Sequence, residues 1–439
     1  MNAASRKELP LPGSGGAQSA MREVTPPAAG WHPAWLLQAP HRLAFALAML
    51  VLMGAAVWWA LVQLDRYTGL LGLQYVVSPT LTHAAMMSLG FLPLFFAGFL
   101  FTAGPKWLAV QGPSVRQILP GLLAQFVGWW FWLAGAHLHL ALAASGLALA
   151  ALGLLLTYGR FWRLLRASPA PDRLHATVVA VGGAMGVLSV VGLLLALLAG
   201  RPDLGSAMVR TGLWGCVVVT YVAVAHRMIP FFTSSAVPMI EVWRPFWVLW
   251  ALLAMVAMEL VAVWAEWAGW PSGREWMLVL GLLELAAGSI ILWLAFAWGL
   301  VQSLKIRLLA MLHLGFVWLG LSFVLAGLSQ LLGLRTGMPV LGLGALHALT
   351  MGFLGSLLVA MVTRVSCGHS GRTLVADALV WSLFWLLQVA VVLRIAAVLV
   401  PEPAAVTAVA ALLWALVCSV WGARLLGWYG RARVDGRPG

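Results

Sequence analysis

Residues 338–363 read MPVLGLGALHALTMGFLGSLLVAMVT, a run of 26 residues that contains no Asp, Glu, Lys or Arg. A helix rises about 1.5 Å per residue, so about 20 apolar residues cross the hydrocarbon core of a bilayer. The run therefore predicts a transmembrane helix. Its only ionisable side chain is His347, which lies well inside the apolar stretch.

The rest of the chain repeats this apolar pattern. Its 439 residues are 62% hydrophobic and 9% charged, and this balance excludes an ordinary soluble domain. We predict an all-α, polytopic membrane bundle of twelve transmembrane helices. The predicted spans are about 43–64, 79–103, 116–136, 138–157, 175–198, 207–229, 245–268, 276–298, 307–328, 338–363, 374–399 and 404–426.

The distribution of basic residues predicts the orientation of the bundle. The net charge is +13, but Lys and Arg fall in short loops between apolar runs, which indicates membrane orientation and not nucleic-acid binding. With the N-terminus in the cytoplasm, 20 of the 26 Lys and Arg are cytoplasmic and 6 are outside. We therefore expect a disordered cytoplasmic tail over residues 1–40, a membrane domain over 41–428 and a basic cytoplasmic tail over 429–439.

Two histidines lie within spans in nearly the same local pattern, His83-Ala-Ala-Met-Met87 and His347-Ala-Leu-Thr-Met351. An ionisable residue inside a membrane span is a functional-site candidate, and neutral imidazole is a common ligand of haem iron and copper. Both helices run inwards from the outer side, so both histidines are expected in the outer half of the membrane. We predict that they bind haem between facing helices. The alternative is a pair of buried polar residues bonded to the backbone or to each other.

Three further histidines are predicted near the inner side of the membrane. His226 ends the sixth span, His313 lies in the ninth, and His369 follows the tenth. Together they are candidates for a second haem or copper site, with Cys367 as a soft ligand for copper. The alternative is that each is an interfacial histidine in contact with lipid headgroups.

The remaining polar residues leave several roles open. Arg227 and Arg364 are candidates for holding an anion or a haem propionate. Glu259 and Glu284 lie within spans, where a carboxyl group can carry protons, pair with an arginine such as Arg394, or stay protonated. The other histidines are expected at membrane interfaces or in a solvated outer turn: His32, His41, His137, His139 and His175.

Three segments resemble the NnrS family. They are HAAMMSLGFLPLFFAGFLFTAGPKW (83–107), HRMIPFFT (226–233) and HALTMGFLGSLLVAMVTRVSCGHSGR (347–372). The resemblance covers about residues 30–430. It implies a twelve-helix protein of the bacterial inner membrane that contains haem and copper and is associated with denitrification and with tolerance of nitric oxide.

A weaker resemblance links the second span to haem–copper oxidase catalytic subunits, whose second, sixth and tenth helices carry metal-binding histidines in a three-fold pseudo-symmetric bundle. Histidines fall on the same three spans here. The chain differs from that superfamily because it has no adjacent His-His pair on a seventh helix and no clear His-x-His on the tenth.

Three functional hypotheses follow. The first is a haem- and copper-containing protein of nitric oxide metabolism, with a quinol or another electron donor if it reduces or scavenges nitric oxide. The second is a transporter or permease that handles copper or haem, because histidine and methionine suit copper passage. The third is an assembly partner of a larger reductase, without a cofactor of its own.

Overall fold

A computed structural model describes residues 30–237, 239–269 and 273–436, and these residues form helices and no strand. Among the described residues, twelve helices are long and apolar enough to cross a membrane, which confirms the predicted all-α bundle. They are α1 (Pro40–Thr68), α2 (Pro79–Leu100), α3 (Val115–Leu138), α4 (Leu140–Arg166), α5 (Leu174–Leu198), α6 (Pro202–Ala236), α7 (Phe246–Trp267), α8 (Arg274–Ala297), α9 (Arg307–Gly333), α10 (Gly344–His369), α11 (Ala378–Ala396) and α12 (Pro403–Tyr429).

An even number of spans places the start of α1 and the end of α12 at the same end of the bundle. We call this end the terminal face and the other end the opposite face. Most of the predicted N-terminal tail lies outside the described residues. At the terminal face, Arg42 of α1 donates hydrogen bonds to the carbonyl groups of Tyr429 and Arg431, which joins the two ends of the chain.

Proline and capping residues define the helix ends. Pro40, Pro79, Pro202 and Pro403 each begin a helix, where the missing N–H has no intrahelical partner to lose. Helices α3 and α4 are separated by His139 alone, whose Nδ1 accepts from the backbone N–H of Leu142. The turn between α3 and α4 is therefore very tight.

Helices α2, α6 and α10 occupy the centre of the bundle. Helices that are neighbours in sequence pack against each other around much of the bundle, and α12 returns to pack along α1. In the centre, the ring of Tyr221 on α6 lies 5.7 Å from Phe96 on α2 and 5.7 Å from Phe353 on α10. The outer helices expose many large apolar side chains, as expected for surfaces that face lipid.

Glycines allow two pairs of helices to approach closely. A Cβ atom added to Gly128 of α3 would lie 2.6 Å from the carbonyl oxygen of Gly146 on α4. A Cβ atom on Gly288 of α8 would lie 2.7 Å from the carbonyl oxygen of Gly320 on α9. Small residues at such interfaces increase van der Waals packing, which drives helix association in lipid.

Each of the three central helices contains a π-helical segment. These segments are Met86–Gly90 in α2, Leu213–Val218 in α6 and Ala348–Gly355 in α10. In α2, Pro93 contributes by lacking the N–H that would bond the carbonyl group of Leu89. Short π-helical segments widen a helix locally and occur frequently at functional sites.

Candidate functional site

A cleft at the opposite face contains both His83 and His347. It lies between α1, α2, α10, α11 and α12, and its walls include Trp59, Arg394 and Trp414. The enclosed cavity measures about 70 Å³, and the cleft including its open side measures about 670 Å³. The two histidines therefore line the same cleft, one from α2 and one from α10.

The two histidines lie at nearly the same depth. His83 is four residues into α2, which begins at Pro79, and His347 is three residues into α10, which begins at Gly344. The sequence predicted that the tenth span begins at residue 338. It begins later because Gly342 has a φ of 48°, a left-handed conformation that interrupts the helix. In addition, the backbone N–H of Leu341 donates to the side chain of Ser329 on α9 and not to a carbonyl group of its own helix.

The hydrogen bond of His347 assigns its ring nitrogens. Its Nδ1 lies 2.8 Å from the carbonyl oxygen of Leu343, and a carbonyl group only accepts, so Nδ1 carries the proton. The Nε2 atom then carries a free lone pair. A histidine that ligates a metal almost always donates its other ring N–H to a carbonyl, carboxylate or water in this way.

His83 is held by an aromatic stack. Its imidazole lies 3.7 Å from the ring of Trp59, at an interplanar angle of 15°. The guanidinium of Arg66 lies over the Trp59 ring, 5.2 Å from its centre. It also donates a hydrogen bond to Thr80 Oγ1. The Nδ1 atom of His83 is buried and has no hydrogen-bond partner. An unpaired buried polar atom is costly, so this nitrogen calls for an explanation.

The remaining cleft residues suit a bound metallocofactor. Met87 and Met351, one turn after the two histidines, both line the cleft, and Arg394 adds a cation. Gly355 also lines it, whereas Gly98 and Gly352 face Phe45 and Trp318 on neighbouring helices and serve helix packing.

The donor set of the cleft fits a haem. His83 and His347 would supply imidazole ligands to the iron, and Arg394 would pair with a carboxylate of the cofactor. Cofactor pockets measure about 300–1,000 Å³, whereas the enclosed cavity measures about 70 Å³, so the helices or side chains that line it would have to move apart to admit a macrocycle.

At the terminal face, His226 forms a pair with His175. His226 Nε2 lies 3.1 Å from the carbonyl oxygen of Pro245, so it carries the proton, and His226 Nδ1 is the acceptor. His175 Nε2 lies 3.0 Å from that Nδ1 and must donate to it. His175 Nδ1 is consequently an unprotonated nitrogen, and it is buried without a partner.

His313 has a separate partner. Its Nε2 lies 2.8 Å from Thr233 Oγ1, and the Thr233 hydroxyl donates to the carbonyl of Ile229. His313 therefore donates through Nε2. His226 precedes Thr233 by seven residues, or about 10 Å along α6, so His226 and His313 are separated by two helical turns.

His369 contacts a histidine of the first helix. Its ring lies 4.2 Å from that of His41, at an interplanar angle of 41°. The His41 side chain is only 3% exposed. The backbone carbonyl of His369 accepts from Arg433 of the C-terminal segment, which fixes this corner of the terminal face.

The structure does not assemble His226, His313 and His369 into one site, because each meets a different neighbouring helix. Within residues 30–237, 239–269 and 273–436, no group of three or more His, Cys, Asp and Glu side chains is arranged to hold a metal ion. The two predicted anion-binding residues lie over aromatic rings: the guanidinium of Arg227 is 4.9 Å from Trp107, and that of Arg364 is 4.1 Å from Phe232.

Several site residues were not indicated by the sequence. His41 and His175, expected at interfaces, are buried imidazoles that contact other histidines. His137, expected in a solvated turn, accepts from Trp58 Nε1 and donates to the carbonyl of Gln74, which ties the loop after α1 to α3. The sequence did not single out Trp59 as a site residue, because aromatic residues are common in membrane helices.

All three cysteines are buried. Cys216 and Cys418 lie within α6 and α12, and Cys367 lies near the end of α10. All three are free thiols.

Comparison with known families assigns the chain. No curated protein and no solved structure matches it. The NnrS protein family matches residues 35–433, which include all twelve membrane helices and both histidines of the cleft. The chain is therefore a multi-pass membrane protein that belongs to the NnrS family.

Proposed function

We infer that this protein binds haem in the cleft at the opposite face and acts in nitric oxide metabolism in the bacterial inner membrane, with both termini in the cytoplasm. The observation that carries this proposal is that His83 and His347 line one cleft at equal depth, with His347 Nδ1 bonded to the carbonyl of Leu343. This leaves His347 Nε2 free as a ligand.

The residues of the cleft have distinct roles in this proposal. His83 and His347 hold the iron, Trp59 fixes the plane of the His83 ring, and Arg394 pairs with a propionate of the cofactor. When bound, a haem would supply reversible one-electron redox chemistry. With both histidines as ligands it would have no open position, so nitric oxide would bind the iron only if one histidine were released. Nitric oxide is small and apolar and reaches the cleft through the bilayer without an aqueous channel.

Haem analysis of purified protein tests the ligand assignment. His83→Ala and His347→Ala should each lose most of the bound haem, measured from the absorption spectrum and from iron content per chain. His139→Asn is the matched control at the same face, because asparagine also caps a helix N-terminus. Wild-type haem content in both alanine variants would show that these histidines do not hold the cofactor.

Turnover is a separate measurement. Nitric oxide consumption by the protein in lipid vesicles, supplied with a quinol, is expected for a reductase. Binding of nitric oxide to the ferrous protein without consumption would instead assign sensing or scavenging.

Copper handling is a second candidate function, favoured by the sulfur atoms in the same cleft. Met87 and Met351 line it beside the two histidines, and thioether and imidazole ligands together suit Cu(I). Met87→Leu and Met351→Leu separate the two proposals, because leucine removes the sulfur at nearly the same volume. Loss of copper or of copper uptake with normal haem content would support copper handling.

A further inference from the structure

A larger cavity lies on the other side of α10 from the cleft. It measures about 540 Å³ and is bounded by α6, α7, α8, α9 and α10. Loop residues of the opposite face, including Gly269, Gly337 and Gly342, form its outer part, and Glu259 and Glu284 line it deeper in the bundle. A cavity of this volume with polar walls has room for several water molecules.

Glu259 of α7 and Glu284 of α8 both line this cavity, and their carboxyl groups are close enough to interact electrostatically. Glu284 is only 3% exposed, and its Oε2 is buried without a partner. Glu259 Oε1 is likewise buried and unpartnered. The pair thus has unused acceptor atoms in a buried position.

Two buried carboxyl groups that line one cavity and have unpartnered oxygens favour a bound proton or another cation. An ionised carboxylate only accepts hydrogen bonds, so two ionised carboxylates cannot bond each other. Like charges at this separation also repel strongly, and burial increases the free-energy cost of a second charge. One proton held between the two groups removes both the repulsion and part of the burial cost.

The cavity does not supply a free positive side chain among the described residues that line it. Arg210 of α6 lines the cavity, but it forms an ion pair with Glu266 of α7, and both side chains are substantially exposed. Glu266 is seven residues beyond Glu259, about 10 Å closer to the opposite face. Helices α9 and α10 contribute neutral side chains: Ser322, Ser329, Gln330, Leu346 and Leu349.

We propose that Glu259 and Glu284 form a proton-binding site that exchanges with water through the cavity from the opposite face. The ligand is a single proton, which converts one carboxylate to a carboxylic acid that donates to the other. This assignment does not depend on haem binding.

The position of the site also gives it a role in the chemistry of the cleft, and this role rests on the proposed function. Leu346 and Leu349 of α10 line the cavity, and His347 and Thr350 of the same helix line the cleft. One helix therefore separates the proton site from the proposed haem site. Reduction of nitrogen oxides consumes protons, and this pair places a proton store beside the cleft.

Infrared spectroscopy of the full-length protein in lipid tests the proton site. The wild type at neutral pH should show the C=O stretch of a buried protonated carboxyl group, shifted in D₂O. The Glu259→Gln and Glu284→Gln double variant should lose this band, whereas Glu275→Gln, an exposed position on α8, should keep it. In each single variant, the band of the remaining glutamate should disappear at a lower pH than in the wild type, because its like-charged neighbour is gone.

Two results would overturn the proposal. The first is a wild-type spectrum without a protonated carboxyl band at neutral pH, or a double variant with an unchanged band. The second is a band that appears only after divalent cations are chelated, which would assign the pair to a metal cation. Haem content should be unchanged in these variants, so failure of the haem proposal and failure of the proton site are distinguishable.

Discussion

The opposite face and the terminal face use histidine in different ways. At the opposite face, His83 and His347 line a shared cleft, and the one hydrogen bond of His347 leaves its Nε2 lone pair free. At the terminal face, His226 bonds His175, and His313 bonds Thr233. His83 and His347 are half-buried at the cleft, whereas His175, His226 and His313 are buried. A free ring nitrogen occurs at both faces, since His175 Nδ1 and His313 Nδ1 have no partner. The difference lies in the arrangement, because among the described residues only at the opposite face do two imidazoles line one open cleft.

The largest expected effect separates the two faces by cofactor content. His347→Ala should remove most of the haem, whereas His226→Ala should retain it, because His226 already uses both ring nitrogens in hydrogen bonds. Absorption spectra of the two purified variants provide the comparison. Equal loss of haem from both would mean that the terminal-face pair also holds a cofactor.

A smaller effect is expected on stability when the terminal-face pair is broken. His226→Ala leaves the Nε2–H of His175 and the carbonyl of Pro245 without their partner. A buried unsatisfied group costs about 1–3 kcal/mol, so the thermal unfolding temperature should fall, as measured by tryptophan fluorescence.

The double variant His175→Phe with His226→Phe provides the control for this second prediction. Replacing both partners by apolar rings should recover part of the loss, because no polar group is then left unpaired. No difference in unfolding temperature between His226→Ala and the wild type would show that the pair contributes nothing.

Thr233→Val should have a weaker effect at the same face. Valine keeps the shape of threonine but removes the oxygen that accepts from His313 Nε2, and one hydrogen bond contributes about 1 kcal/mol. Thr233→Ser retains the hydroxyl and serves as the control. A larger loss in the serine variant would indicate that the methyl group, and not the hydrogen bond, matters at this position.

The smallest effect concerns an ion pair that is not part of the proposed cofactor site. The Arg424 guanidinium hydrogen-bonds the Asp377 carboxyl at the terminal face and lowers the pKa of Asp377 below its ordinary value. Because the folded pKa is the lower one, the pair stabilises the protein above the unfolded pKa of about 3.9, and the contribution is lost as pH falls through the folded value.

The Asp377→Asn variant measures this last contribution. Asparagine keeps the N-cap of α11 but removes the charge, so the loss should be below about 1 kcal/mol for a partly exposed pair. Unfolding temperatures of variant and wild type should converge as pH is lowered towards the folded pKa. A difference that is constant with pH would assign the effect to capping.

The sequence by itself predicted the number of helices and the relative depth of their histidines. Hydropathy is a local sum, and lipid leaves the backbone no alternative to the helix, so twelve apolar runs produce twelve helices. Counting residues from the helix starts also placed His83 and His347 in the same half of the bundle, although the start of α10 was misplaced because Gly342 interrupts the run.

Only the tertiary structure decided which side chains meet. His226 was expected near His313 and His369 from depth alone, yet it contacts His175. Glu259 lines the same cavity as Glu284, whereas Arg394 lines the cleft on the other side of α10. Such pairings depend on the rotation of each helix about its axis and on the order of helices around the bundle, which the hydropathy of separate spans does not contain. The same applies to the three π-helical segments, which arise where the central helices pack together.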